Sequence, residues 1–240
     1  MAIDTVLTCA GTVGACVFLI WLISLKMRDA SIADIWWGPG FALIAWVAML
    51  DSGRLSERSM WVCAVLTLWG LRLAFFMARR NLGHGEDRRY QAMRAGSPHF
   101  GWVSLFKVFF LQGTLQVAVA LPVFAVVHSQ APLGVLDWIG VSIAFAGVLI
   151  EALADHQLTQ FKADPKHGGK VMDQGLWGYS RHPNYFGNAV LWLGIGMVGL
   201  SSGGPWWLGG RGPSLQPRAT WGAGAHSPAG HQTPPNEGFT

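Results

Sequence analysis

Thirteen residues, Gly175-Leu-Trp-Gly-Tyr-Ser-Arg-His-Pro-Asn-Tyr-Phe-Gly187, gather an Arg-His pair, an Asn and two Tyr into one polar stretch. An apolar run, Ala189 to Leu200, follows at once. Polar groups pressed against such a run are costly unless they bind something, so the stretch reads as a head-group or cofactor site. Arg181 offers a planar fork of donors for phosphate, and His182 adds another when protonated. Asn184 and Tyr185 suit an amide or a ribose hydroxyl. Pro183 biases His182 away from helix.

Glu151 and Asp155 form the second constellation, four residues apart and therefore on one face of a helix. Glu151 sits inside an apolar run, where it must pair, protonate or line a polar cavity; Arg72 and Arg181 are the candidate partners. Gln112 and Gln116 repeat the same spacing, and Asp34 stands just before Ile35-Trp-Trp-Gly38. Their shared depth near one membrane face suggests a common polar cavity. Glu86-Asp-Arg-Arg-Tyr90 fits either this cavity or a solvated loop. The GxGxxG match Gly194-Ile-Gly-Met-Val-Gly199 lies in an apolar run with no strand before it, so helix packing explains it better than phosphate binding. No GxSxG, HExxH or paired Cys/His spacing appears, and no metal is expected.

The elements that position these groups are membrane helices. Half the residues are apolar, 12% are charged, and mean hydropathy is +0.33. Apolar runs at residues 6–25, 35–50, 60–78, 108–127, 138–154 and 185–200 predict an all-α, polytopic transmembrane bundle of about six spans. The first run lacks the basic start and cleavage site of a secretion signal and reads as a retained helix. With the N-terminus outside, the inner loops hold Lys26, Arg28, Arg79, Arg80, Arg88, Arg89, Arg94, Lys162, Lys166, Lys170 and Arg181, whereas the outer loops hold only Arg54 and Arg58. That bias follows the positive-inside rule, so the net charge of +4 reports topology and no nucleic-acid partner is expected. Cys9, Cys16 and Cys63 lie in the runs and read as packing residues. Residues 1–200 therefore form the membrane domain. The last 40 residues, with nine Gly and six Pro, are expected to be a disordered tail.

The ordered series Asp34-Ile-Trp-Trp-Gly, Trp69-Gly-Leu-Arg-Leu, Glu86-Asp-Arg-Arg-Tyr, Leu111-Gln-Gly-Thr-Leu-Gln, Glu151-Ala-Leu-Ala-Asp-His-Gln-Leu and Gly175 through Gly187 resembles a bacterial membrane family. That family, of unknown function, is grouped with the C-terminal domain of steroid 5-alpha reductases in the isoprenylcysteine methyltransferase-like superfamily. The resemblance covers about residues 30–205. It implies a helical bundle in the bacterial inner membrane that binds NADPH from the cytoplasmic side. The implied reaction, on CH-CH groups, reduces a carbon–carbon double bond conjugated to a ketone in a steroid-like or other lipid substrate. Glu151 and Asp155 fall where the reductases carry an Asn and an Asp near the cofactor, Lys170 where they carry an Arg, and Asn184 on their cofactor-binding Asn. Arg89 resembles a phosphate-facing residue. Asn188 replaces an acidic residue common at its position. The reductases polarise the ketone with a Glu on the second helix and a Tyr on the third; here Asp34, Tyr90 and Tyr179 are the available proton donors. Family members continue into a further apolar segment and a basic, aromatic helix, so the altered tail suggests a frameshift near residue 202 and a truncated product. A methyltransferase using S-adenosylmethionine shares the Arg-His-Pro segment and is the alternative reading, and a non-catalytic membrane protein is the third.

Overall fold

The computed structural model describes residues 2–203, and the tail expected to be disordered lies outside them from residue 204 onward. Within the described residues the chain is an all-α membrane bundle with no strand. Its helices are α1 (Ala2–Met27), α2 (Ile32–Asp51), α3 (Glu57–Asn81), α4 (Arg88–Ala95), α5 (Phe100–Ser104), α6 (Leu111–Val119), α7 (Leu121–His128), α8 (Val135–Ala163) and α9 (Pro183–Ser201). Five stretches are long and apolar enough to cross a bilayer: Ile3–Met27, Ile32–Asp51, Glu57–Asn81, Phe100–Val119 and Val135–Ala163. The sixth expected span forms α9. It falls outside this group because Asn184 and Asn188 dilute its first two turns.

The run at 108–127 is also not one helix. A π-helical segment, Leu105–Phe110, joins α5 to α6, and the helix breaks at Ala120 before α7 starts. Pro122 explains the break: it lacks an N–H, and its ring clashes with the carbonyl four residues back. The stretch between the apolar runs 60–78 and 108–127 is likewise partly helical, since α4 and α5 lie in it.

Two glycine seams set the spacing of the helices that matter. A Cβ on Gly187 would lie 2.6 Å from the backbone N of Glu151 and 2.8 Å from the Gly147 carbonyl. One on Gly140 would lie 2.8 Å from the Gly194 carbonyl. No side chain fits there, so α8 and α9 touch backbone to backbone, as small residues permit in membranes. Gly38 and Gly70 do the same for α2 and α3, with a Cβ on Gly38 placed 2.6 Å from the Gly70 carbonyl. The first seam carries Asn184 and Asn188 to the side of Glu151 and Asp155. Between the seams Phe41 packs on Trp37, Trp69 and Trp192, with ring centroids 4.8–5.7 Å apart. That aromatic contact fixes the indole of Trp69.

Candidate functional site

The ends of α1, α3 and α8 and the starts of α2, α6 and α9 meet at one end of the bundle. Two polar clusters form there. In the first, the Arg72 guanidinium donates to Asp155 from both terminal nitrogens, at 2.8 and 2.7 Å, and lies 3.1 Å from Glu151. Trp69 donates its indole N–H to Glu151 at 2.8 Å. Asn184 donates to Asp155 at 3.3 Å and Asn188 to Glu151 at 3.5 Å. Glu151 and Asp155 are buried and Arg72 partly so. One guanidinium thus answers two carboxylates, and its Nε has no partner. Of the two candidate partners of Glu151, the bundle uses Arg72; Arg181 stands exposed.

The second cluster sits where α2 begins. Asp34 accepts from the Tyr90 hydroxyl at 2.8 Å and from Arg89 at 2.8 Å. Gln112 lies 3.4 Å from that hydroxyl, and its own Oε1 is buried without a partner. Burial and then the Asp34 carboxylate push the Tyr90 phenol above its ordinary value, so it keeps its proton. Around it, Glu86 accepts from the Ala30 N–H and from Arg94, while the Asp87 N–H donates to Ser31. Partial burial works against the charge of Glu86, but Arg94 and the Ala30 N–H outweigh it and hold its carboxyl low. The Arg89 side chain does the same for Asp87. Gln116 is fully buried and donates to the Trp37 carbonyl at 2.8 Å, which ties α6 to α2. The six-residue π segment just before α6 sets the phase in which Gln116 meets α2 and Gln112 reaches Tyr90. Such segments recur at functional sites.

The remaining candidates lie on the loop between α8 and α9. Lys170, Arg181, His182 and Tyr185 are exposed, and none of the three basic side chains meets a carboxylate among the described residues. Lys170 lines a cavity of about 330 Å³ with Lys162, His167 and Phe161. Tyr185 packs beside the His182 ring at 5.3 Å. Tyr179 is 93% exposed and stands apart from both clusters, so of the three candidate proton donors the fold brings together Asp34 and Tyr90.

The opposite end holds a pairing that the sequence did not signal. Arg58, placed with the outer loop by its charge, is buried in the first turn of α3. It donates to both oxygens of Asp137 at 2.8 Å, to Ser129 and to the carbonyls of Ala131 and Pro132. Ser201 also donates to Asp137.

Fold and site together define a helical membrane protein with a polar, carboxylate-rich mouth. The chain belongs to the family described as protein of unknown function DUF1295, which matches residues 20–211. It is 25% identical over 212 residues to the uncharacterized protein C594.04c of Schizosaccharomyces pombe, covering 75% of this chain and 60% of that protein. No solved structure matches it.

Proposed function

We propose that the protein is a membrane reductase that uses NADPH to saturate a carbon–carbon double bond conjugated to a ketone in a lipid-like substrate. Kinship of its family with the steroid 5-alpha reductases is part of this reading. So is an orientation with the N-terminus outside and the polar mouth on the cytoplasmic side, which the distribution of Lys and Arg favours. The observation that carries the proposal is the Asp34–Tyr90 pair. A carboxylate on the second helix and a phenol 56 positions away meet at 2.8 Å. The reductase pattern needs a carboxyl and a tyrosine, and the absence of Tyr from the third helix is made good by Tyr90 of α4.

The residues present fit the cofactor by type. Lys170 and Arg181 are exposed cations suited to phosphates, with the exposed His182 ring beside Arg181 and with Arg89 nearer Asp34. Glu151 and Asp155 with Asn184 and Tyr185 suit hydroxyl and amide groups, and the surplus carboxylate of the buried cluster keeps phosphate on the loop. Glu151 and Asn188 face each other, so the Asn-to-Glu exchange at one position and the acid-to-Asn exchange at the other still leave one carboxylate and one amide across the seam. When bound, NADPH supplies hydride. Tyr90, which retains its proton, is the group able to stabilise charge building on the ketone oxygen once its hydroxyl turns from Asp34 to the substrate.

The test is thermal unfolding of the detergent-purified chain with NADPH, NADH or S-adenosylmethionine. NADPH at about 100 times its dissociation constant should add roughly 2.7 kcal/mol. The gain should shrink in Arg181→Ala and Asn184→Ala. A shift with S-adenosylmethionine alone would move the assignment to methyl transfer, and no shift with NADPH ends the reductase reading.

A further inference from the structure

Helix α4 is attached to the bundle in an unusual way. Tyr90 is its only buried residue, at 6% exposure. Three attachments of the segment reach the short stretch 30–34, Glu86 to the Ala30 N–H, the Asp87 N–H to Ser31 and Arg89 to Asp34, while single contacts tie it to α3 (Arg80 to Asp87), α5 (Arg94 over the Phe100 ring) and α6 (Gln112 to Tyr90). The segment is bounded by Gly83 and Gly85, both at positive φ (80° and 79°), and by Gly96 at its other end. These are positions where the chain turns at little cost. Arg28, just before the docking stretch, is held at φ 54°, a conformation that disfavours its side chain. Arg89 is both anchor and exposed group: it holds Asp34, yet its side chain is 63% exposed. Its neighbour Arg88 is exposed and has no acidic partner among the described residues.

We propose that α4 is a hinged cover latched to Asp34 by Tyr90, and that a phosphate-bearing ligand releases the latch by drawing Arg89 and Arg88 to itself. The inference deepens the reductase reading and rests on it for the identity of the ligand, a soluble dinucleotide. In the latched state the Tyr90 hydroxyl is given to Asp34 and is not offered to a substrate. Asp34 holds α4 through both Arg89 and Tyr90, so drawing Arg89 to a phosphate removes the charged half of that attachment, and the hinged helix can then carry the phenol off Asp34. An apolar substrate then meets the donor only after the cofactor has bound.

Amide hydrogen exchange over residues 88–95 of the full chain in nanodiscs of neutral lipid tests this. Tyr90→Phe keeps the ring and removes the latch, and should speed exchange there about tenfold without changing α2 or α6. Inorganic pyrophosphate should speed exchange in the wild type and have no effect in Arg88→Ala, which leaves Asp34 untouched. The latch is overturned if Tyr90→Phe exchanges at the wild-type rate, or if pyrophosphate slows the wild type. Acceleration by anionic-lipid nanodiscs, with nothing added by pyrophosphate, overturns the soluble ligand in favour of a head group. Release by pyrophosphate without any NADPH binding removes the reductase reading and keeps the latch. NADPH binding with 88–95 unchanged does the reverse.

Discussion

Arg58 and Arg72 belong to the same helix, both meet carboxylates of α8, and they do opposite things. Arg58 uses both terminal nitrogens and its Nε, finds one carboxylate and three neutral acceptors, and leaves 2% of its side chain exposed. Charge balances and no donor nitrogen is unmatched. Arg72 faces two carboxylates, leaves its Nε without a partner, and keeps 19% of its side chain accessible. A closed pair is what a bundle needs to fix its helices. A surplus carboxylate next to unmatched polar atoms, with Asn184 and Asn188 beside it, is what a ligand site needs. On the proposed reading the two ends of α3 and α8 divide structure from recognition.

The largest effect expected from this contrast is at the closed end. Removing one partner of a buried pair strands the other, at a cost of about 3–5 kcal/mol. Arg58→Ala and Asp137→Asn should each lower the unfolding temperature sharply in detergent, and the double variant should cost less than the sum of the two. Additive losses would show that the two residues act separately and would dissolve the contrast. The NADPH-induced shift, measured in whatever folded fraction remains, should keep its size.

Glu151→Gln sharpens the comparison from the other side. It removes the surplus charge, leaves Arg72 with Asp155, and keeps an acceptor for the Trp69 indole. The oxygen that serves Trp69 serves Asn188 as well, and the new amide nitrogen takes the place of the oxygen that faced Arg72. Stability should change by less than about 1 kcal/mol, the size of one ordinary hydrogen bond. Ligand affinity should change instead. If Glu151→Gln destabilises as much as Asp137→Asn, the Arg72 cluster is a second structural pair and the division between the two ends fails.

What the sequence made legible follows the range of the interactions. Apolar runs gave the helices, and i, i+4 spacing put Glu151 and Asp155 on one face. Arg72 stood out as a partner because it is a basic residue inside a span. Pro122 was a visible reason to split the run at 108–127, yet the run reads as one span because its hydropathy is unbroken. Asp34–Tyr90 and Arg58–Asp137 join residues 56 and 79 positions apart, so neither pairing leaves a local pattern. Arg58 and Asp137 each lie in a helix's first turn, where a charge reads as a loop-end residue. The indole of Trp69 was hidden for a similar reason: its partner is set by the glycine seams, and those are a property of two helices at once.

The smallest expected effect concerns the cover over Asp34, and it has two signs. Glu86 and Asp87 have folded values held below the usual carboxylate range of about 4. Their attachments are complete above about pH 5 and are lost as pH falls through those lowered values. Tyr90 has a folded value raised above the usual phenol value of about 10. Its contribution is complete below that point and is lost as pH rises through the raised value. Helix α4 should therefore be held across the neutral range and loosen at both extremes. A nitroxide label on the exposed position Ala92→Cys would show this as increased mobility at low and at high pH. Glu86→Gln should remove part of the acid limb, and Tyr90→Phe should remove the alkaline limb alone. Each limb is worth about 1 kcal/mol or less, because the ion pairs at the rim are partly exposed. If Tyr90→Phe left the alkaline limb in place, the phenol would not be what holds α4 down, and the mouth would be as fixed as the end closed by Arg58 and Asp137.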